Sequence, residues 1–225
     1  MDELEEIKQK EEFTRQLIST QEQERKRIAS DLHDSHAQNL LVLKNKVSLL
    51  MRKKDANSAV KEDLRDISDG LLSSMDEIRS ISYSLRPHEI DRFGLTDSLS
   101  HMIEKVQDTV SIIFKTQIDN INGLLKQDDE VILFRVIQEC INNIIKHSRA
   151  KTAQIKISKR GDSIEIFIRD DGIGFDLQKM DEYTKQGLGI TDMGERVNLL
   201  KGKINMITSP GKGTSIEINI PVNKK

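Results

Sequence analysis

Hydrophobic positions in the first 85 residues recur at spacings of three and four, which predicts long amphipathic helices. One stripe runs from Ile28 to Leu50, and residues 2–54 contain neither Pro nor Gly. A second stripe runs from about Ala59 to Leu85 after a short polar turn. Two long helices joined by a short turn form an antiparallel hairpin. Because one hairpin leaves its apolar faces open, we expect two copies to associate as a four-helix bundle, which makes the chain a homodimer.

A different pattern begins after Pro87, which cannot continue the second helix. Segments in which apolar and polar residues alternate now fall between segments of helical spacing. Strands are predicted at 111–118, 152–158, 163–169, 203–208 and 214–220, and helices at about 96–109, 128–148 and 190–200. Helices on one face of a mixed or antiparallel sheet make a two-layer α+β sandwich. The first of these helices is expected to be capped by Thr96 or Asp97.

Three regions follow from this pattern. Residues 1–22 have only an imperfect heptad, and we interpret them as a helical coiled-coil lead-in that pairs with its own copy, or else as a frayed end. Residues 23–87 form the hairpin, and residues 88–225 form the sandwich. The expected architecture is therefore a dimeric helical bundle followed by an α+β domain.

Composition narrows the classes of function. Charged residues make up 32% of the 225 residues and the formal net charge is only -2, so neither a nucleic-acid footprint nor a polybasic membrane patch is indicated. The single Cys140 excludes an intramolecular disulfide and favours a reducing compartment. No run approaches eighteen apolar residues, so we expect a cytoplasmic protein, or the inner portion of a longer membrane protein.

The first helix of the hairpin contains a polar window. Between Leu32 and Leu40 the apolar stripe thins, and side chains with ionisable, hydroxyl or amide groups follow one another. They are Asp31, His33, Asp34, Ser35, His36 and Gln38. A solvated helix face would explain this window without any chemistry. A neutral imidazole is, however, a competent nucleophile near neutral pH, since its unperturbed pKa is about 6.5, so the window is also a candidate reactive site.

The predicted helix near residues 131–148 holds a second polar cluster. Glu139, Asn142, Asn143, Lys146 and His147 lie close together, and two adjacent Asn are poor helix formers in the middle of a helix. Magnesium prefers oxygen ligands and keeps several waters, so the amide oxygen of Asn143, together with triphosphate oxygens, would suit it. A solvated helix face is the alternative explanation.

The predicted strand 163–169 ends in Asp170, Asp171, Gly172, Ile173 and Gly174. A carboxylate at this place can accept a hydrogen bond from an exocyclic amino group such as that of adenine. The two glycines would let the backbone come close to a flat base. Any turn from a strand into a loop favours Asp and Gly, so this segment alone is weak support for a site.

Two more glycine-bearing segments follow. Gly187 and Gly189 immediately precede a predicted helix, where glycines present backbone N–H groups to phosphate. Gly211, Gly213 and Thr214 precede the last strand. This third segment is either a plain hairpin turn or part of the same pocket.

The order of these elements resembles the ATP-binding domain of the GHKL superfamily, which has a two-layer (Bergerat-type) α+β fold. That superfamily includes sensor histidine kinases, gyrase-type topoisomerases, Hsp90 chaperones and mismatch-repair ATPases. The run R-I-A-S-D-L-H-D-S-H-A-Q at residues 27–38 is similar to the phosphoacceptor box of the HisKA_3 histidine kinases. The L-R-P run at 85–87 and the E-x-x-x-N-x-x-K-H pattern at 139–147 match that subfamily too, including its NarL-partner and DesK-type sensors.

For the helical half, the resemblance implies that ATP phosphorylates His33 and that a response regulator, of the NarL/LuxR type, receives the phosphoryl group on an aspartate. Asp34 would act as the base beside His33. Gln38 implies phosphatase action on the regulator, in which its amide orients a water. The chain departs from the subfamily at His36, where an apolar residue is usual, and at Ala37, where Gly is common. An alternative is a phosphatase-biased regulatory scaffold that binds ATP and signals mainly through regulator binding.

For the sandwich, the resemblance implies that ATP binds with Mg²⁺. Asn143 would hold the metal, with Glu139 as a supporting or general-base-like carboxylate. Lys146 and His147 would lie near the phosphates, and Asp170 would read adenine. The remaining cofactor-binding residues would be Gly172, Gly174, Gly187, Gly189, Gly213 and Thr214.

Overall fold

The structure, a computed structural model, describes residues 3–52, 58–85, 88–180 and 189–222. Two compact units divide the chain, Met1–His88 and Glu89–Lys225. The first unit is helical, and the second combines helices with a sheet. This succession confirms the predicted fold class, in which helices precede an α+β sandwich.

The helical unit consists of α1 (Glu3–Asp31), a π-helical turn (Leu32–Ala37), α2 (Gln38–Met51) and α3 (Ser58–Leu85). The sequence predicted long helices over this stretch, with an apolar stripe from Ile28 to Leu50. The backbone stays helical there, but between α1 and α2 it widens to the i→i+5 hydrogen bonding of a π-helix. The spacing of hydrophobic residues does not reveal such a turn, because a π-helical turn is defined by which carbonyl oxygen accepts from each N–H group.

Side chains of α1 and α3 pack closely one turn before the π-helical turn. The hydroxyl of Ser82 donates a hydrogen bond to the carbonyl oxygen of Ala29 at 3.0 Å, and both residues are buried. By contrast, α2 has no buried residue. Large apolar side chains stay exposed along the unit, at Phe13, Leu17, Leu41, Val42, Leu43, Leu49, Leu50, Val60, Ile67, Leu72 and Ile81. Exposed apolar surface of this extent is typical of a face that another protein covers.

The sheet of the second unit has five strands in the order β1-β2-β3-β5-β4. They are β1 (Ile113–Ile118), β2 (Thr152–Arg160), β3 (Ser163–Asp170), β4 (Lys203–Thr208) and β5 (Thr214–Pro221). β1 pairs with β2 in parallel, and every other pair is antiparallel. β2 and β3 form a hairpin, in whose turn Gly161 has a positive φ of 56°. The sheet is therefore mixed, as predicted.

Helices complete the second unit: α4 (His88–Phe93), α5 (Leu95–Gln107), α6 (Gln127–Asn143), a π-helical turn (Ile144–Ser148), a short 3₁₀ turn (Leu177–Lys179) and α7 (Ile190–Leu199). α6 crosses between the parallel strands β1 and β2. Its Phe134 and Ile137 are fully buried, as are Ile155 and Ile164 of the sheet. These residues belong to one apolar core, which fixes α6 against the sheet. The short α4 was not predicted.

The start of α5 differs from the prediction. Neither Thr96 nor Asp97 caps it, because the helix already begins after Gly94, whose φ is 85°. The cap is instead supplied from a distant loop, where Asn122 Oδ1 accepts a hydrogen bond from the Thr96 N–H at 2.8 Å. The Thr96 hydroxyl in turn accepts from the N–H of Ile121 at 2.9 Å.

Candidate functional site

A cavity of about 60 Å³ lies in the second unit between α6, its π-helical turn, α7 and the sheet. Most of its lining is apolar, with a few polar groups among it, which is usual for small-molecule sites. The lining residues are Cys140, Asn143, Ile144, His147, Ser148, Ile168, Asp170, Ile173, Gly174, Phe175, Ile190, Met206, Thr214 and Ile216.

Four residues that the sequence singled out for nucleotide binding line this cavity from different elements. Asn143 ends α6, His147 is in the π-helical turn, Asp170 ends β3, and Thr214 begins β5. They are spread over more than 70 residues of sequence, and the fold brings them to one place. Gly174 lines the cavity as well.

Asp170 is buried, with 5% of its surface exposed. Its Oδ1 accepts a hydrogen bond from the Gly172 N–H at 2.8 Å, and its carboxylate also accepts from the backbone N–H of Thr214. Burial raises the pKa of the Asp170 carboxyl, and the two backbone hydrogen bonds partly oppose that shift. The result is a fixed carboxylate that faces a cavity and can accept from a ligand donor.

The glycines around Asp170 make room for the protein's own backbone. A Cβ at Gly172 would overlap the carbonyl oxygen of Ser148, and a Cβ at Gly213 would overlap that of Asp170. A Cβ at Gly174 would meet two further carbonyl oxygens in the same way. These positions are glycine because the protein's own backbone segments pass each other closely there. The segments that surround the cavity could not pack with larger residues.

Glu139 lies beside the start of α7. Gly189 occupies the N-cap position of that helix with φ 66°, and a Cβ there would overlap the Glu139 carboxylate. Glu139 is one turn before Asn143 on α6, so the two can offer oxygens to one cation. Among the described residues, no group of three or more His, Cys, Asp and Glu side chains could hold a metal. Two protein oxygens nevertheless fit Mg²⁺, which keeps waters and phosphate oxygens as its other ligands.

Two described residues that were predicted on the phosphate side, Lys146 and Gly189, are not among those that line the cavity. Lys146 is exposed, whereas its neighbours Ile144, His147 and Ser148 do line it. The residues of this segment that line the cavity recur at spacings of three and four, and Lys146 falls outside that face. Gly187 lies outside the described residues.

His33 and Asp34 are in the π-helical turn of the first unit, and their side chains lie outside the described part of the structure. His36, in the same turn, is exposed. Gln38 is the first residue of α2 and is also exposed. π-Helical turns are rare and are frequent at functional sites, so the backbone here is unusual at the place where the sequence predicted reactivity.

Sequence reasoning missed the apolar walls of the cavity. Ile173 is in the Asp170–Gly174 segment and Phe175 directly follows it, whereas Met206 is on β4, about 30 residues later; none of the three was predicted to line the site. Cys140 was interpreted as a packing residue, and its thiol Sγ is 3.5 Å from the Sδ of Met193. Burial raises the pKa of that thiol to about 12. The alternation of the strands indicates which residues point inward, but not which of them surround a ligand.

The fold and this cavity define a class of protein: an α+β nucleotide-binding domain of the GHKL type joined to a helical hairpin. Residues 24–90 match the HisKA_3 family, described as histidine kinase, and residues 128–224 match the family described as histidine kinase-, DNA gyrase B-, and HSP90-like ATPase. The chain therefore belongs to the histidine kinases of the HisKA_3 type.

Similar proteins carry names of the same family. The chain is 32% identical over 222 residues to the signal transduction histidine-protein kinase/phosphatase DegS of Brevibacillus brevis, covering 97% of this chain and 56% of that protein. It is 31% identical over 209 residues to the sensor histidine kinase ComP of Bacillus subtilis, covering 91% of this chain and 27% of that protein. The chain thus spans about half, or less, of these curated relatives.

A solved structure shares the fold. The histidine kinase domain of a blue-light activated histidine kinase from Erythrobacter litoralis superimposes with a TM-score of 0.54 at 16% identity. The match covers 82% of this chain and 94% of that one. None of the described helices is long and apolar enough to cross a bilayer.

Proposed function

We propose that this chain is the core of a sensor histidine kinase, which moves the γ-phosphoryl group of ATP to His33 and then to an aspartate on a response regulator. One observation carries the proposal: Asn143, His147, Asp170 and Thr214 converge on a single cavity. The same chain carries a histidine-acid pair in a hairpin of the HisKA_3 family. Both a nucleotide site and a phosphoacceptor are therefore available in one protein.

In the sandwich, Asp170 accepts a hydrogen bond from the amino group of adenine, and the apolar walls of the cavity cover the faces of the base. Backbone N–H groups at the start of α7, next to Gly189, bind phosphate oxygens. Mg²⁺, held by Asn143 and Glu139, would neutralise charge on the phosphates. Phosphoryl transfer depends mainly on such positioning and charge neutralisation.

At the hairpin, the unprotonated ring nitrogen of His33 forms a new bond to the γ-phosphorus. The bond from that phosphorus to the bridging oxygen breaks, and ADP leaves with the electron pair. The other ring nitrogen gives its proton to a base, and Asp34 is the adjacent carboxylate that can take it. In the second transfer, a carboxylate oxygen of the regulator attacks the same phosphorus, the bond from phosphorus to the His33 nitrogen breaks, and the departing imidazole takes its ring proton back from Asp34.

We also infer that the chain dephosphorylates its regulator. Gln38 is exposed at the beginning of α2, where its amide can orient a water toward a phospho-aspartate on a docked regulator. DegS, to which this chain is similar, is named a kinase/phosphatase. A phosphatase-biased scaffold that binds ATP is the second candidate, and the same exposed Gln38 supports it.

The exposed apolar face of the hairpin supports a second copy of the chain as its partner, in a four-helix bundle. Each copy would contribute two helices, and the leucines of α2 would become the core of the bundle. The regulator would carry a receiver domain of the NarL/LuxR type. Since ATP is the phosphoryl donor, we place the reaction in the cytoplasm, with an upstream sensor as the source of the signal.

The test is incubation with radiolabelled ATP and Mg²⁺, comparing the unaltered chain with His33→Gln. We expect acid-labile, alkali-stable label that is absent from the variant. His36→Gln, three residues away in the same turn, is the matched control and should keep its label. Label that survives in His33→Gln and disappears in His36→Gln would overturn the assignment of the phosphoacceptor.

A further variant, Asn143→Asp, separates kinase from scaffold. If ATP serves only phosphorylation, this variant loses autophosphorylation but still dephosphorylates a phosphorylated receiver domain, and Gln38→Ala removes that second activity. A chain that never takes label, while its Gln38-dependent phosphatase activity is intact, would favour the scaffold.

A further inference from the structure

Asp171, next to the adenine-reading Asp170, has no role in the proposed reaction, yet its carboxylate is fully engaged. Its Oδ1 accepts hydrogen bonds from the N–H groups of Lys151 at 2.8 Å and Thr152 at 2.9 Å. Its Oδ2 accepts from the Thr152 hydroxyl at 2.8 Å, and its own N–H donates to the Thr152 carbonyl oxygen at 3.2 Å. Hydrogen bonds from Thr152 are the main reason that the pKa of the Asp171 carboxyl lies below its ordinary value.

These bonds act where the sheet ends. The last residue pair of the β2–β3 ladder joins Ala153 to Asp170, and one further backbone hydrogen bond follows, from the Asp171 N–H to the Thr152 carbonyl oxygen at 3.2 Å. Beyond it, the side chain of Asp171 takes over and holds the end of β3 to the beginning of β2. Asp170 is the last residue of β3, and strand ends are where fraying begins, so the contacts of the Asp171 carboxylate hold this end in place.

The chain after Asp171 is fastened to the same neighbouring segment. The N–H of Ile173 donates to the carbonyl oxygen of Ser148 at 2.8 Å, and Gly172 packs so closely on that carbonyl that a Cβ would overlap it. Gly172 in turn donates its N–H to Asp170 Oδ1 at 2.8 Å. The orientation of the Asp170 carboxylate therefore depends on a loop that is anchored at Asp171 on one side and at Ile173 on the other.

We propose that Asp171 is a positioning residue for adenine recognition: it aligns the Asp170 carboxylate with the exocyclic amino group and so sets the selectivity of the site for adenine. The inference rests on the proposed function, in which Asp170 reads adenine. Its physical basis is directional, because a hydrogen bond weakens steeply as its donor angle falls toward about 120°. A small rotation at the end of β3 would cost the contact to the amino group but leave the other contacts of the nucleotide.

The test measures binding to the full chain by competition against a fluorescent ATP analogue. The competitors are ATP and purine riboside triphosphate, which lacks only the 6-amino group. A hydrogen bond to a charged acceptor makes ATP bind about tenfold or more tightly than purine riboside triphosphate in the unaltered chain. In Asp171→Ala we expect this preference to fall below about threefold, mainly because ATP binds more weakly.

Two variants serve as matched controls. Asp171→Asn keeps an oxygen for the two N–H groups and an amide that can donate to the Thr152 hydroxyl, so it should retain the preference. Thr152→Val removes only the hydroxyl contact and should retain most of it. A charge effect of Asp171, rather than positioning, would make Asp171→Asn behave like Asp171→Ala, and that result would overturn the proposal.

The outcomes separate the proposal from its premise. If the unaltered chain does not distinguish the two nucleotides, or if Asp170→Asn leaves their ratio unchanged, the assignment of adenine reading to Asp170 fails. If the unaltered chain does distinguish them and Asp171→Ala weakens both equally, Asp171 is merely structural and the inference fails. Where Asp171→Ala does not fold, Asp171→Ser, whose hydroxyl reaches fewer donors, gives the same decision.

Discussion

The close approach of backbone segments around Gly213 gives a prediction of defined size. Gly213 has φ 71°, and a Cβ there would overlap the Asp170 carbonyl oxygen and lie 2.9 Å from the carbonyl carbon and 3.1 Å from the Gly172 nitrogen. Gly211, in the same turn, has φ 78°, and a Cβ there would have no neighbouring atom within 4 Å. Alanine at Gly211 therefore meets only the backbone penalty, whereas alanine at Gly213 meets that penalty and a steric clash.

The two costs can be estimated separately. Left-handed backbone costs an L-residue about 1–2 kcal/mol, so Gly211→Ala should lower the free energy of unfolding by about that amount. Crowding in a packed region adds about 1–3 kcal/mol, so Gly213→Ala should lose roughly 2–5 kcal/mol. Since the clash falls on Asp170, Gly213→Ala should also weaken ATP binding, and Gly211→Ala should not.

The single cysteine offers the assay. Cys140 is 1% exposed in the core of the second unit, and it is the one thiol of a chain without Trp. Brief thiol labelling across a urea series therefore reports unfolding of that unit alone, and the midpoint and slope give the free energy of unfolding. The reasoning is refuted if the free energies of unfolding of Gly213→Ala and Gly211→Ala agree within about 0.5 kcal/mol, or if Gly213→Ala is the more stable of the two.

Three further predictions concern acidic groups and one more glycine. Gly189→Ala should lower the rate of autophosphorylation by about tenfold or more, because its methyl displaces the Glu139 carboxylate; an unchanged rate in a well-folded variant would show that the position of Glu139 is unimportant. Because burial raises the pKa of Asp170, ATP affinity should decline with falling pH earlier than an ordinary aspartate would allow, and a pH titration of binding should lack this component in Asp170→Asn. Burial also raises the pKa of Glu130, so its ionised form destabilises the folded state at neutral pH. Glu130→Gln, which can still accept from the Gly123 N–H, should raise the urea midpoint at pH 8, and the gain should shrink as the pH falls through the raised pKa; an equal gain at pH 5 would contradict this.

The sequence predicted the elements better than the contacts between them. Alternation along β3 and helical spacing along α6 depend on one face of each element being buried, which a local pattern records. The cap of α5 does not appear in such a pattern, because its acceptor, Asn122, is 26 residues away from Thr96. Neither π-helical turn was predicted, because helical hydrogen-bond register leaves little trace in composition.

In the candidate site too, the sequence predicted individual residues better than the contacts between them. Asp170 and Asn143 were predicted because their residue types suit a base and a metal, and both line the cavity. The sequence did not indicate that Gly172 and Gly213 make room for carbonyl oxygens of the protein itself, because those contacts come from distant segments. The proposed role of Asp171 depends on where the β2–β3 ladder ends, which is a feature of the tertiary structure and not of the local sequence.

The order of strands in the sheet has a consequence for biosynthesis. β3, which ends in Asp170, has β5 as one of its two neighbours, and β5 is the last strand of the sheet to be synthesised. A ribosome that adds about 5–20 residues per second completes the helical hairpin roughly 7–30 s before the final strand emerges. During that interval the segment with His33 already exists, while the wall of the cavity that Thr214 supplies does not. The nascent chain thus carries the proposed phosphoacceptor before its nucleotide site is complete.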